Sequence, residues 1–382
     1  MRLGDCCKTN LHTYSDKEKW SLIRYLDTGS ITEGRIDEIQ TLYPGVDKIP
    51  SRARRKASVG DILFSTVRPN QKHYGIIEAG TENLLVSTGF TVVTVDTTIA
   101  DPYFIYYYLT QSSVIESLQA IAEQSTSTYP SIKPSDIEDI ELDLPELETQ
   151  KKIGSTLRML DRKIAFNEEI NDNLQQQAAA LFSSLYDRTN TEVRFTDLIQ
   201  ILGGGTPKTG ENTYWNGNIA FFTPKDVGTP YTLITEKTIT EEGLSHCNSR
   251  LYPVNTVFVT ARGTVGKVGM SGVPMAMNQS CYALVGKETH QLLVYFYTLK
   301  AVDRLKHKAS GAVFDAITTR DFESEQIMKL SDDDAKSFLC IAEPMFQKVL
   351  NNSIENQRLS TLRDSLLPKL MSGEIDVSSI HL

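Results

Sequence analysis

Apolar residues recur between positions 153 and 185 in alternating steps of four and three: Ile153, Leu157, Leu160, Ile164, Asn167, Asn171, Leu174, Ala178, Leu181 and Leu185. That spacing keeps one face of an α-helix apolar for about five heptads and predicts a coiled-coil seam with two asparagines at its middle. The pattern returns as Phe338, Ala342, Met345, Val349, Asn352, Asn356, Leu359, Arg363, Leu366 and Leu370. Arg363 is the one charged residue on this second seam. Pro344 falls inside the run, where it either starts the main helix or kinks it, so a break is expected near Glu343.

The two runs belong to a longer repeat. At an offset of 185, residues 125–186 align with 310–371, pairing Ile132 with Ile317, Asp136 with Asp321, Asn167 with Asn352, Asn171 with Asn356 and Leu174 with Leu359. Upstream, Ser58 to Arg68 matches Pro253 to Arg262 as a turn, a buried strand and an arginine. Phe104 to Leu109 likewise matches Leu293 to Tyr297 as the aromatic start of a helix. The chain therefore divides into a globular domain over 1–147, a spacer helix over 148–187, a second globular domain over 188–333, a second spacer helix over 334–375 and a tail over 376–382. The globular parts show short β-rich runs broken by Gly, Pro and Asn, with one or two helices each.

The polar layer bears on how the helices pair. In an antiparallel pair Asn167 faces Asn356 and Asn171 faces Asn352, so that four buried amides find partners and fix the register of Leu160, Ile164, Leu174, Val349 and Leu359 around them. A parallel pair would align the layers too. Direction follows from the duplication, since two similar halves most simply associate about a pseudo-twofold axis. The expected fold is mixed α/β (α+β): two pseudo-twofold-related globular domains separated by an antiparallel pair of long coiled-coil helices, each about 57 Å long.

Composition narrows the class. The 382 residues, 40% hydrophobic and 23% charged, suit two or three folded soluble domains. No apolar run is long enough for a membrane span and Met1 to Cys7 lacks the core of a signal peptide, so a cytoplasmic protein with no membrane partner is expected. Cys6, Cys7, Cys247, Cys281 and Cys340 are odd in number and lack metal spacing, which implies reduced thiols. A net charge of -9 argues against a free-standing nucleic-acid binder. Yet the chain is polarised: seven acids and no base lie between Asp136 and Glu148, and six bases against one acid between Pro50 and Lys72.

Catalytic chemistry is hard to find. The cluster Gly203-Gly204-Gly205-Thr206-Pro207-Lys208-Thr209-Gly210 has Pro207 where a phosphate loop needs Gly before Lys. Six dispersed histidines, no nucleophile motif and no Asn-Pro-Pro-aromatic tetrapeptide point to no catalytic residue, no metal and no cofactor. The acids from Asp136 to Glu148 read as a solvated run before a helix, with Glu146 and Glu148 complementing its dipole. The bases read differently. Arg52, Arg54, Arg55 and Lys56 fall in a loop-like stretch before a strand, with Arg68 and Lys72 after it. Lys208, Thr209, Lys225, Arg262 and Lys267 occupy turns interleaved with Tyr214, Trp215, Phe221 and Phe222. Loop bases of this kind can reach phosphates and base edges, and these eleven residues are the candidate DNA contacts.

The motifs Leu202-Gly203-Gly204-Gly205-Thr206-Pro207-Lys208-Thr209, Tyr214-Trp215-Asn216-Gly217-Asn218-Ile219, Thr223-Pro224-Lys225-Asp226-Val227, Ala261-Arg262-Gly263-Thr264-Val265-Gly266-Lys267-Val268-Gly269 and Leu144-Pro145-Glu146-Leu147-Glu148-Thr149-Gln150 share an order and spacing. By them the whole chain resembles the specificity subunit of type I restriction-modification systems. The resemblance implies a non-catalytic subunit with two target-recognition domains, each reading one half of a bipartite asymmetric site in double-stranded DNA. It further implies helices that set the spacing and dock two DNA adenine methyltransferase (modification) subunits, and a separate restriction/translocase subunit. The first domain lacks the Gly-Gly-Thr-Pro opening, and Leu330-Ser331-Asp332-Asp333-Asp334 replaces the motif before the second helix, so contact roles do not carry over there. A coiled-coil interaction scaffold without DNA recognition is the alternative from another class, and an enzyme acting on nucleotides a third, disfavoured by the broken phosphate loop.

Overall fold

Both heptad runs fold as unbroken helices of 40 residues, Leu147–Tyr186 and Asp332–Met371. In the computed structural model of the protein, which describes residues 1–125, 129–228, 230–308 and 316–377, each is shared between two compact units. One unit comprises Met1–Lys163 with Leu359–Leu382, the other Ile164–Arg358. Parts of the aligned repeat (126–128 and 310–315) and of the expected tail (378–382) lie outside the described residues.

Within each unit the helix segments run antiparallel. In the first unit Leu370 joins Ile153 and Leu157 in one core, and Arg363 Nη1 lies 2.6 Å from Asp161 Oδ1. The charged seam residue thus meets a carboxylate on the facing helix. In the second unit Asn167 Nδ2 donates to Asn356 Oδ1 and Asn352 Nδ2 to Asn171 Oδ1, both at 2.8 Å. Rising numbers on one helix meet falling numbers on the other in both units.

The break expected near Glu343 is absent, because the helix Asp332–Met371 passes through Pro344. Proline removes one N–H, here the donor for the Cys340 carbonyl, and crowds the preceding turn. Glu343, Pro344 and Cys340 face solvent, while Ala342 and Phe346 lie in the core. The unpaired carbonyl is open to water, and the apolar stripe holds the helix through the fault.

Each globular part is built on two main sheets of like topology, beside a two-stranded one that pairs Ile31–Thr32 with Arg35–Ile36 in the first part and Glu192–Arg194 with Gln326–Met328 in the second. In the first, an antiparallel sheet has the order Cys7–Thr9, Phe90–Val95, Ile62–Ser65, Tyr74–Ile76; a second has the order Gln40–Leu42, Ile23–Leu26, Leu84–Ser87, Ala53–Lys56. In the other half the corresponding orders are Ile199–Gly203, Cys281–Gly286, Val257–Thr260, Val268–Ser271, Tyr231–Thr232 and Lys237–Ile239, Trp215–Phe222, Met275–Met277. Ile23–Leu26 runs parallel to Leu84–Ser87, just as Trp215–Phe222 runs parallel to Met275–Met277. The central strands Ile62–Ser65 and Val257–Thr260 are buried throughout, which explains their unbroken apolar runs. Helices are more numerous than the sequence pattern suggested: Pro102–Leu109, Ser112–Glu123 and Pro134–Glu138 all lie in the first part.

The start of each long helix is fastened by different chemistry. Gln150, buried, accepts from the Asp101 N–H at 3.0 Å and donates to the Pro145 carbonyl at 2.8 Å. This is the physical use of the Leu-Pro-x-Leu-Glu-x-Gln run. In the second half Ser331 Oγ instead accepts from the Asp334 N–H at 3.1 Å, a helix cap, and the Leu330 N–H donates to Tyr297 Oη at 3.0 Å.

Candidate nucleic-acid interface

A hairpin loop leaves the central strand at the same point in each half. Residues 66–73 connect Ile62–Ser65 to Tyr74–Ile76, and residues 261–267 connect Val257–Thr260 to Val268–Ser271. Their anchors correspond. The Ser65 N–H donates to the His73 carbonyl at 2.9 Å and the Thr260 N–H to the Lys267 carbonyl at 3.0 Å. The Ile132 N–H donates to the Thr66 carbonyl at 2.8 Å and the Ile317 N–H to the Ala261 carbonyl at 2.9 Å. Arg68 and Lys72 fall on one loop, Arg262 and Lys267 on the other.

The loops turn by left-handed residues at matching places: Arg68 (φ 49°) and Lys72 (φ 56°) stand where the second half has Gly263 (φ 82°) and Gly266 (φ 74°). Glycine takes this conformation freely, whereas a side chain costs about 1–2 kcal/mol. The first half thus places two cations at left-handed positions that the second half gives to glycine. The Arg68 guanidinium stands 4.9 Å from the centre of the Tyr129 ring. Lys72 Nζ is 2.5 Å from Glu33, both side chains about half exposed.

Other loops converge on the second hairpin. Thr264 Oγ1 donates to the Pro224 carbonyl at 3.2 Å, which brings up the turn bearing Lys225. The Arg262 N–H donates to the Ser280 carbonyl at 3.3 Å. Thr206 Oγ1 is hydrogen-bonded to Gln279, so the glycine-rich segment arrives beside the same edge. A Cβ on Gly204 would lie 2.3 Å from the Asn278 carbonyl oxygen, and one on Gly205 2.6 Å from the Asn248 nitrogen. The glycine cluster serves close backbone approach. Beyond it, Lys208 and Thr209 are exposed, with the Lys208 carbonyl accepting the Trp215 indole N–H at 3.1 Å. Lys225 is exposed, 3.7 Å from Glu236.

In the first half the bases between 52 and 56 do not sit together on a loop. Arg52 does: it is exposed, and its carbonyl accepts from the Thr88 N–H at 2.9 Å beside Gly89, whose own carbonyl accepts from the Thr66 N–H at 2.8 Å. Arg54, Arg55 and Lys56 belong to the strand Ala53–Lys56, paired with Leu84–Ser87 and half-buried. Arg55 turns inward to Asn10, and burial lowers its pKa. Lys56 Nζ lies 2.5 Å from Glu18 and 5.2 Å from the Trp20 ring centre. This strand has no apolar alternation to betray it, since cross-strand pairing alone makes it. The second half replaces it by one bridge, Tyr252 to Met275.

The acidic run is largely exposed, and its first three members have structural partners. Asp136 accepts from the Lys133 N–H at 2.6 Å, Glu138 from Thr9 Oγ1 at 2.6 Å, and Asp139 pairs with Arg2 at 3.0 Å. Among the described residues no group of three or more His, Cys, Asp and Glu could hold a metal, and no helix is long and apolar enough to cross a membrane. Exposed Gln279, next to Arg262 across the Ser280 contact, is an amide able to read a base edge that no local signal marked.

Comparison with known proteins finds the same domain in both halves. The model of the type I restriction modification DNA specificity domain matches residues 48–176 and again 188–329. The HindI specificity subunit of Haemophilus influenzae is 25% identical, with 98% of each chain covered. The EcoR124I/EcoR124II specificity subunit of Escherichia coli is 31% identical over 152 residues, 37% of each chain. Among solved structures, the type I restriction-modification S subunit from M. genitalium shares the fold at a TM-score of 0.61 and 16% identity, over 97% of this chain and 95% of that one.

Proposed function

Because this chain belongs to the type I restriction modification DNA specificity family, with the domain present twice, we propose that its two halves each read one part of a split, asymmetric site in double-stranded DNA through the hairpin loops 66–73 and 261–267. The observation that carries this reading is the equivalence of those loops in two halves of like topology, each bearing cations at the same turn. Arg52, Arg68 and Lys72 form the contact set of the first half; Lys208, Thr209, Lys225, Arg262 and Lys267 form that of the second. Arg54, Arg55 and Lys56 support the first from their strand. Phosphate contacts fix position, and Arg or amide side chains reaching base edges supply sequence preference.

The chain itself carries no catalytic step in this reading. Two DNA adenine methyltransferase subunits dock on the long helices, and a restriction/translocase subunit joins them in a cytoplasmic complex. Partners that enclose the DNA supply the positive surface that a net charge of -9 does not. Methylome sequencing of a host with and without the gene, partner genes expressed, is expected to show loss of one split asymmetric motif. Unchanged methylation at every such motif would overturn the reading. A mobility shift with the methyltransferase at stated salt separates it from a scaffold, which would retain no DNA.

A further inference from the structure

The second hairpin lacks a side chain at its second left-handed turn, and a helix fills the place. Lys72 (φ 56°) and Gly266 (φ 74°) occupy matching positions in the two halves, so the first loop carries a cation there and the second does not. A Cβ on Gly266 would lie 2.6 Å from Lys306 Cε and 3.4 Å from Lys306 Nζ. The ammonium of Lys306 therefore stands over this turn, brought by the last turn of the helix Gln291–Lys308. The side chains of Lys306 and of Lys267, the loop residue after Gly266, are exposed and form no hydrogen bond or ion pair among the described residues. The helix end is pinned from its other side: fully buried Glu325 takes Arg304 Nε at 2.8 Å and Lys308 Nζ at 2.5 Å. At about 100° of turn per residue, Val302 and Lys306 share the face toward Gly266, and Arg304 and Lys308 the face toward Glu325. In the first half the helix beside the loop, Ser112–Glu123, contains no base and meets the loop through Gln119 Oε1, which accepts from the Asn70 N–H at 3.2 Å.

We infer that Lys306 is the second half's counterpart of Lys72: a cation delivered from a helix, across Gly266, to a DNA phosphate beside the loop 261–267. The inference rests on the reading of DNA by the hairpin loops and adds a contact that no loop residue supplies. A lysine in a last helical turn also complements the helix dipole, but that use requires no glycine beneath it. With Lys267, Lys306 makes two unpaired ammonium groups at one turn, compact point charges suited to phosphate. A phosphate contact carries no sequence information, so it adds affinity without changing which bases are preferred.

The test uses the full chain assembled with its methyltransferase partners. Affinity is measured for a duplex carrying the split methylation motif and for one of random sequence, from about 50 to 200 mM salt. Lys306→Met keeps the methylene stem over Gly266 and removes the charge. It is expected to weaken both duplexes by a similar factor, about five-fold, and to lower the slope of log affinity against log salt by about one. Lys306→Arg, which keeps the charge, is expected to retain both. Unchanged affinity and slope in Lys306→Met, equal losses in Lys306→Met and Lys306→Arg, or a loss confined to the motif duplex overturns the inference. A wild-type complex that retains neither duplex overturns the reading of DNA as well. If the wild type prefers the motif duplex and Lys306→Met matches it at every salt, this inference alone falls.

Discussion

Arg68 holds a backbone conformation that the second half gives to Gly263, and the two substitutions this suggests have opposite signatures. Arg68→Gly relieves left-handed strain but enlarges the freedom of the unfolded chain, so stability is expected to stay within about 1 kcal/mol by urea unfolding. Recognition of the first half-site is expected to fall about ten-fold or more while the second is untouched, as measured with DNAs altered in one half at a time. Arg55→Ala should do the reverse. It removes a partly buried guanidinium from Asn10, whose Oδ1 keeps the Val92 N–H at 3.0 Å, and is expected to cost about 1–3 kcal/mol of stability. Arg68 was readable as a base on a turn; its strain was not, because φ is fixed by the strands that the loop must join.

At the scale of elements, the asparagine layer is the most testable feature of the helix pair. Asn171→Leu strands the Asn352 amide, whose Oδ1 already lacks a partner among the described residues, and is expected to destabilise by about 1–3 kcal/mol. The double replacement Asn171→Leu with Asn352→Leu should recover most of that loss, since a matched apolar pair replaces a matched polar one. A double-mutant cycle measures the coupling. Pro344→Ala restores the missing helix hydrogen bond to Cys340 and is expected to raise stability by up to about 3 kcal/mol. The seam, its asparagines and the charged position at Arg363 were visible in the spacing. The uninterrupted helix at Pro344 was not, because local propensity opposes it and only burial of the flanking turns overrides it.

For the molecule as a whole, buried and half-buried tyrosines set an alkaline limit. Burial pushes Tyr25 and Tyr103 in the first half, and Tyr295 and Tyr297 in the second, up to about 12. An unfolded tyrosine titrates near about 10. Above that pH the unfolded chain releases protons that the folded chain keeps. Their stabilisation is therefore complete below about pH 10 and is lost as pH rises toward about 12. Urea unfolding at about pH 8 and pH 11 should show a fall in midpoint that is absent between about pH 7 and pH 8.

The sequence by itself determined the elements whose signal is periodic and local: two heptad helices, their asparagine register, buried central strands and the duplication that joins them. Side-chain spacing on one face is a property of a single element, so it survives without knowledge of its neighbours. Only the tertiary structure decided which bases share a surface. It took Arg54, Arg55 and Lys56 out of a presumed loop and into a strand, turned Arg55 onto Asn10, and set Arg68 opposite the place of Gly263. Those outcomes depend on strand pairing and backbone approach between residues far apart in the chain, and charge carries no periodicity from which such pairing can be read.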